Sequence, residues 1–348
     1  MTPPTIATWF YAEREGAESV YPQVGGRSSS TWFQAVYWRC VVDFFGASAR
    51  VNPDARHRLY TNVDAVPDID GFDTAAFLDR LGVETVVLPY AWEPPAGYFG
   101  AWANQFYVLD VTRHLAESLA PDAVGVLLDS DCVFTRPAAP LVAAAETHGV
   151  LTLDANIGPD EEQNGLTPRQ MGQIYAELDG APTAGAAGGG AAGIPTYVGG
   201  EIVAGTRPAL QAVVAEAERL WPEMLRRHEA GLPKFNEEAH LLSYVYHSLG
   251  YPVGTADPFL DRIYTWFTGA TVRPGHEDLM IWHLPNEKRL GLRRLFDAVR
   301  DERSWFWDAP DAAWRARLGT TLGVPRRTPA KWVRDVAQAV RDKVERPG

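Results

Sequence analysis

The sequence predicts an α/β protein built on a mainly parallel sheet flanked by helices, and three observations carry that reading. Short β-branched apolar runs alternate with longer stretches of helical periodicity through the first 135 residues, the signature of successive βα units. At 348 residues, 46% hydrophobic and 22% charged, the chain can bury a large core without disulfide or zinc staples. No internal repeat is present, which excludes solenoids and propellers.

Taken in order, strands are expected at 5–11, 57–61, 85–89 and 124–128, where β-branched and aromatic residues suit a pleated, half-buried surface. Between them, 30–45, 73–81 and 102–119 carry apolar residues at helical spacing; in the last, Val108, Val111, Leu115 and Leu119 share one face. Beyond residue 135 the alternation fades into a helix at 140–147, a strand at 150–153 and a polar helix at 167–178. The segment 180–193 is almost wholly Gly and Ala. With much backbone entropy to lose and little side chain to bury, it reads as a mobile loop, either a surface insertion or a lid. A strand at 196–203 and helices at 207–229 and 236–249 follow, the last with Asn236 as N-cap and acids in its first turn. A final apolar run, 279–282, ends at His283, after which the chain turns basic and helical.

The net charge of −12 hides an asymmetry. Residues 1–283 carry 17 basic and 35 acidic side chains, whereas 284–348 carry 15 basic and 9 acidic, leaving the body at −18 and the tail at +6. A pI near 5.2 argues against general nucleic-acid binding, which needs a basic footprint. In the tail, Trp332, Val336, Val340 and Val344 recur every four residues among Arg and Lys, an amphipathic basic helix that either docks back on the protein or meets a membrane surface or an acidic partner. The N-terminus has no signal-peptide pattern and no run reaches membrane-span length. Cys40 and Cys132 stand apart from any CxxC pattern and read as buried thiols of a cytoplasmic protein.

The strongest chemical signal is Val124-Gly125-Val126-Leu127-Leu128-Asp129-Ser130-Asp131. An apolar strand delivers Asp129 and Asp131 at its carboxyl end, where open α/β sheets bind ligands. Strand alternation aims both carboxylates to one side, and their repulsion calls for a cation between them; hard oxygen ligands suit Mg²⁺ or Mn²⁺. The paired glycines Gly199 and Gly200 imply either close approach by a ligand or a β-bulge. Glu237 and Glu238 either cap a helix or line a site. Aromatic residues such as Trp92, Tyr98, Tyr264 and Trp266 serve either a core or a sugar face.

The leading βα units and the Asp129-Ser130-Asp131 motif resemble the nucleotide-sugar glycosyltransferases of the GT-A fold, a Rossmann-like architecture, over about residues 5–295. The resemblance implies a GT-A domain at 1–283 with a basic helical extension at 284–348. Tyr197 to Thr206, with Gly199, Gly200 and Glu201, is similar to the strand beside the DxD that approaches the donor sugar. The segment from Phe235 to Tyr251 resembles the helix whose leading carboxylates face the acceptor, which implies Glu238 as general base of an inverting reaction and Glu237 as a binding residue. Met280-Ile281-Trp282-His283-Leu284-Pro285-Asn286-Glu287-Lys288 is similar to the late motif of the glycogenin and lipopolysaccharide galactosyltransferase group, in which the histidine completes the metal site and the lysine meets the donor diphosphate. Here the His283–Lys288 spacing is one residue short, and the group's glycine and Pro-Trp are missing. His276 is a second candidate ligand.

The same resemblance places the nucleobase against Phe10, Tyr11 and Ala12, the base and ribose near Asn62 and Asp64, and a donor contact at Ser130; Asn104 and Gln105 open the helix that precedes the DxD strand, where their amides either meet donor groups or cap that helix. It implies metal-dependent transfer from a nucleoside-diphosphate sugar, UDP by family frequency, to the hydroxyl of an unidentified acceptor such as a glycan or small molecule. The late His-Lys motif favours retention over inversion. Two other classes fit parts of the chain. Asp129 and Asp131 also match the haloacid-dehalogenase motif, with Asp129 as phosphorylated nucleophile and Asp257 and Asp261 as late acids, although that motif normally lies on the first strand. A GT-A-shaped binding protein without turnover is the third.

Overall fold

Ser30 starts the first long helix by accepting a hydrogen bond from Phe33 N, and α1 (Thr31–Val51) then runs past the predicted end at residue 45. Gly46 lies mid-helix because a Cβ there would stand 2.7 Å from Val299 Cγ1; a second helix passes too close for any side chain. This computed structural model describes residues 2–21, 24–180, 193–267 and 269–345. Ahead of α1 is β1 (Thr5–Phe10); after it come β2 (Arg56–Thr61), α2 (Thr74–Arg80), capped by the Asp73 side chain, and β3 (Val83–Val87). The next helix, α3 (Tyr107–Ser118), starts later than predicted, since Trp102 adopts a left-handed φ of 47° and residues 102–106 form turns.

The DxD strand is β4 (Val124–Leu128), as predicted, and a turn leads to β5 (Cys132–Phe134). Then follow α4 (Ala139–His148), β6 (Val150–Leu151) and α5 (Pro168–Leu178), the last opened by a Thr167–Gln170 capping box. Of the Gly/Ala segment, residues 181–192 lie outside the described residues. The strand predicted at 196–203 is displaced: Val198 makes only an isolated bridge to Asp154, Gly200 and Glu201 turn, and β7 is Ile202–Thr206. α6 (Arg207–Glu229) and α7 (Glu238–Ser248) follow. The N-cap of α7 is Glu237, not Asn236, because the Asn236 amide instead donates to Asn164 O (2.9 Å) and accepts from Lys234 Nζ (2.9 Å). The chain ends with β8 (Leu260–Arg262), β9 (Ile281–His283), α8 (Gly291–Val299), α9 (Trp305–Asp308), α10 (Asp311–Leu322) and α11 (Pro329–Glu345).

Two compact units divide the chain. The first comprises Met1–Pro89, Val126–Val142 and Pro258–Gly348. Its main sheet has the order β3-β2-β1-β4, parallel where β1 meets β2 and β2 meets β3, and α1 packs on α8. A small second sheet, β5-β9-β8, pairs β9 antiparallel to β5 and parallel to β8. Trp38, Phe44, Phe45, Phe134, Trp282 and Trp314 fill this unit's core. The second unit, Tyr90–Gly125 with Ala143–Asp257, packs α3 on α6 and pairs β6 antiparallel to β7 around Phe106, Tyr107, Phe235 and Tyr246. Cys40 and Cys132 are buried, as predicted. Among the described residues no helix is long and apolar enough to cross a membrane.

The tail helix docks by its polar face. Lys331, Asp335 and Asp342 of α11 are buried, while Trp332 and Val340 are exposed, so the predicted apolar stripe is present but points outward. The Val344 side chain lies outside the described residues.

Candidate metal and diphosphate site

Every residue of β4 is buried, and Thr8 Oγ1 donates to Leu128 O (2.8 Å), tying its end to β1. The chain then turns through Asp129, Ser130 and Asp131, with Cys132 N donating to Asp129 O (3.1 Å), and enters β5. The register of β5 against β9 places Cys132 opposite His283, and Leu284 N donates to Asp131 O (3.1 Å). Two segments more than 150 residues apart in sequence are thereby locked side by side. His283 Nε2 stands 3.6 Å from Asp129 Oδ2 and 3.4 Å from Asp131 Oδ2. One ligand atom from each of the three residues lies within 4.8 Å of the others.

Those spacings fit a cation. Ligands at about 2.1 Å from one ion are about 3 Å apart when adjacent and about 4.2 Å apart when opposite. Two carboxylates and one imidazole suit Mn²⁺ somewhat better than Mg²⁺, which prefers oxygen throughout. The Asp129 side chain is 36% exposed against 3% for Asp131 and 6% for His283, so the cradle is walled on two sides and open on one.

Lys288 completes the cluster. The short 3-10 turn Pro285–Glu287 brings the chain back so that Lys288 Nζ donates to Asp131 Oδ2, with the ammonium 5.6 Å from the Tyr37 ring centre. The one-residue departure in spacing does not keep it from Asp131. Burial alone would raise the Asp131 pKa, but the Lys288 and His283 charges outweigh it and hold the carboxyl well below the usual range. Burial likewise works against the Lys288 ammonium, and Asp131 outweighs it, so the amine is held above its ordinary value. His276 is turned elsewhere: its Nε2 meets Asp261 Oδ2 at 3.0 Å.

Near the end of β1, the Phe10 ring is buried against Trp38 (4.9 Å between centres) and Tyr37 (6.2 Å), so it belongs to the core rather than to an open platform. Asn62 and Ala12 exchange two hydrogen bonds, Ala12 N to Asn62 Oδ1 (2.7 Å) and Asn62 Nδ2 to Ala12 O (3.0 Å), which fix the ends of β1 and β2 together. Tyr11 is partly buried and Asp64 is exposed. Sequence reasoning missed Glu13, a buried carboxylate that accepts from Ser19 N (2.8 Å), Tyr21 OH (2.8 Å) and the hydroxyls of Ser19 and Ser28. It organises the loop after β1, and its partners, scattered over 15 residues, form no local pattern.

In the second unit, the close approach expected at the paired glycines is explained by protein. A Cβ on Gly200 would stand 2.5 Å from Glu238 Oε1 and 3.3 Å from the Ala239 Cβ, while Gly199 N donates to Leu153 O (3.0 Å). Glu201 and Glu238 are buried, the latter in the first turn of α7, where the helix dipole favours a carboxylate. Glu237 accepts from Tyr197 OH (2.7 Å) and from the Asn164 amide, with His240 Nε2 at 3.6 Å. Asn104 and Gln105 lie in the turns before α3, where their backbone carbonyls accept from Tyr107 N (3.0 Å) and Val108 N (3.1 Å). Lys234, also missed, donates to Tyr98 O (2.7 Å), and its pKa is pushed down to about 8 by burial.

No family model matches this sequence, and no curated protein does. Among solved structures, mouse xyloside xylosyltransferase 1 in its apo form has 10% identity and a TM-score of 0.44 over 81% of this chain and 97% of that one. The galactosyltransferase LgtC, solved with donor and acceptor sugar analogues, has 12% identity and a TM-score of 0.44 over 94% of this chain and 99% of that one. Likeness at that level fixes no activity.

Proposed function

We propose that this protein is a GT-A-type glycosyltransferase that moves a sugar from a nucleoside-diphosphate donor, UDP-linked by preference, to an acceptor hydroxyl. The observation that carries the reading is the convergence of Asp129, Asp131 and His283 on one point, with the Lys288 ammonium against Asp131. Asp129, Asp131 and His283 would hold a divalent cation, Mn²⁺ or Mg²⁺. When bound, the ion supplies charge neutralisation for a departing diphosphate.

The chain's own part follows from its electrostatics. Asp131 stays ionised at neutral pH, and Lys288 is a charged donor already ordered beside it. Such preorganised charge favours the state in which the sugar C1–O bond breaks and its electron pair leaves with the nucleoside diphosphate. The acceptor oxygen forms the new bond to C1. Its proton passes to a leaving-group phosphate oxygen if configuration is retained, which is the favoured outcome, whereas in an inverting reaction Glu238 is the base. The phosphatase reading of Asp129 is not favoured. His283 sits against both acids of its motif, and Asp261 is paired with His276 and with Arg273 (2.9 Å).

Thermal stabilisation by a panel of nucleoside diphosphates, with Mn²⁺ and with chelator, tests the donor site. A metal-dependent rise in Tm with UDP is expected; no metal-dependent shift with any nucleotide would refute the assignment. Donor hydrolysis needs no acceptor, and NMR of the released sugar before mutarotation reports retention or inversion.

A further inference from the structure

Behind the strand that carries His283 lies a cavity of about 440 Å³, wholly within the first unit. Strand alternation turns Trp282 to the opposite face of β9 from His283, and its indole lines the cavity. Trp282 Nε1 donates to His276 O (2.6 Å), which fixes the ring. One wall is α10. Gly323, with a left-handed φ of 87°, ends that helix and folds the next residues against it, so that Val324 N donates to Gly319 O (3.0 Å). Gly319 permits the close return, since a Cβ there would collide with Val324 O. Across the cavity, Thr135 N donates to Met280 O (2.8 Å) and holds the end of β5 beside the 3-10 turn His276–Asp278.

Three arginines, Arg136, Arg315 and Arg326, line this space against two carboxylates. Both carboxylates are engaged: Asp278 accepts from Arg136 Nη2 (2.6 Å), and Glu277 accepts from Gly275 N (2.7 Å). The arginines are not. Among the described residues, Arg136 Nε is buried without an acceptor, and Arg315 and Arg326 make neither hydrogen bond nor ion pair.

We propose that this cavity binds a small organic phosphate, its phosphoryl oxygens on the three arginines and its body against Trp282 and Pro325. Guanidinium forks match phosphate oxygens two at a time. A phosphomonoester, close to a dianion at neutral pH, answers both unpaired guanidinium groups, whereas a carboxylate would leave one unmatched. The volume falls in the range of small-molecule sites and far exceeds an inorganic phosphate, and Ala316, Val324, Pro325 and Trp282 offer apolar surface to the rest of the ligand.

The test is isothermal titration calorimetry of the full chain with phenyl phosphate, in chelator so that no metal-held donor site contributes. Saturation with a Kd at or below about 1 mM is expected, with orthophosphate at least about ten-fold weaker for want of the ring and neutral phenol giving no saturation. Arg315→Gln and Arg326→Gln should each weaken binding about ten-fold, with Tm unchanged because neither side chain makes a polar bond that folding would lose. Asp131→Asn should bind phenyl phosphate as the parent does, which separates this cavity from the donor site and makes the result independent of whether the chain transfers sugar. No binding, binding indifferent to both arginine changes, binding lost with Asp131→Asn, or orthophosphate or phenol binding as tightly as phenyl phosphate would each overturn the proposal.

Discussion

Replacing Lys331 by Met isolates the buried ion pair that ties the tail helix to the segment carrying Lys288. Lys331 lies on α11, yet its ammonium makes hydrogen bonds to both oxygens of Glu287 and to Asp335 Oδ2 (2.8 Å), and the side chains of all three residues are fully buried. Glu287 immediately precedes Lys288, the residue against Asp131. Methionine fills the volume but removes the cation. Asp335 keeps Arg294 and Arg327 (3.0 Å), whereas the bonds left to Glu287 are from Gly291 N (2.7 Å) and Thr265 Oγ1, both neutral donors. Removing one partner of a buried ion pair costs about 3–5 kcal/mol, because the other charge stays buried. Lys331→Met should therefore lower unfolding stability by that amount in urea, with an unchanged m-value. Adding Glu287→Gln should restore about half of it or more, since a neutral amide is cheaper to bury than an unpaired carboxylate. A single variant within about 1 kcal/mol of the parent, or a double variant as unstable as the sum of the singles, would refute the reasoning.

Asp131→Asn keeps the shape of the cradle but removes a ligand and the counter-charge of Lys288; donor hydrolysis should fall at least about 100-fold, with no Mn²⁺-dependent Tm shift, and retained hydrolysis would count against the metal role. Burial holds the pKa of His57 down, from 6.5 to about 4, so the folded state prefers the neutral ring; its contribution is complete above pH 6.5 and is lost as pH falls toward 4. That loss is about 3 kcal/mol, so His57→Gln, able to keep the bond to Ser48 Oγ (2.9 Å), should flatten the stability–pH slope over this range, and an identical slope would contradict it. Gly46→Ala drives a methyl to within 2.7 Å of Val299 Cγ1 and should cost about 1–3 kcal/mol; Val299→Ala in the same chain should recover part of it, as read by chemical denaturation.

Where local pattern and tertiary demand coincide, the elements are legible: β4 with its terminal Asp129 and Asp131, α5 and α6 all lie where periodicity puts them. Where a long-range contact competes, they are not. Asn236 has the chemistry of an N-cap, but Lys234 and Asn164 claim its amide, and ahead of Gly199 and Gly200, where a strand is predicted, Val198 N is taken by the Ser243 hydroxyl (2.9 Å) rather than by a neighbouring strand.

The sequence by itself determined the α/β alternation, the carboxylate pair at the end of a buried strand and the amphipathic period of the tail, all of which are set by residues within a few positions of one another. Only the tertiary structure decided that His283 joins Asp131, because the antiparallel register of β5 and β9 makes them neighbours. It also decided which side of α11 faces inward. Period shows that a helix has two faces; the buried one is chosen by its partners, and here Glu287, Arg289 and Arg294 make charge the better-matched side.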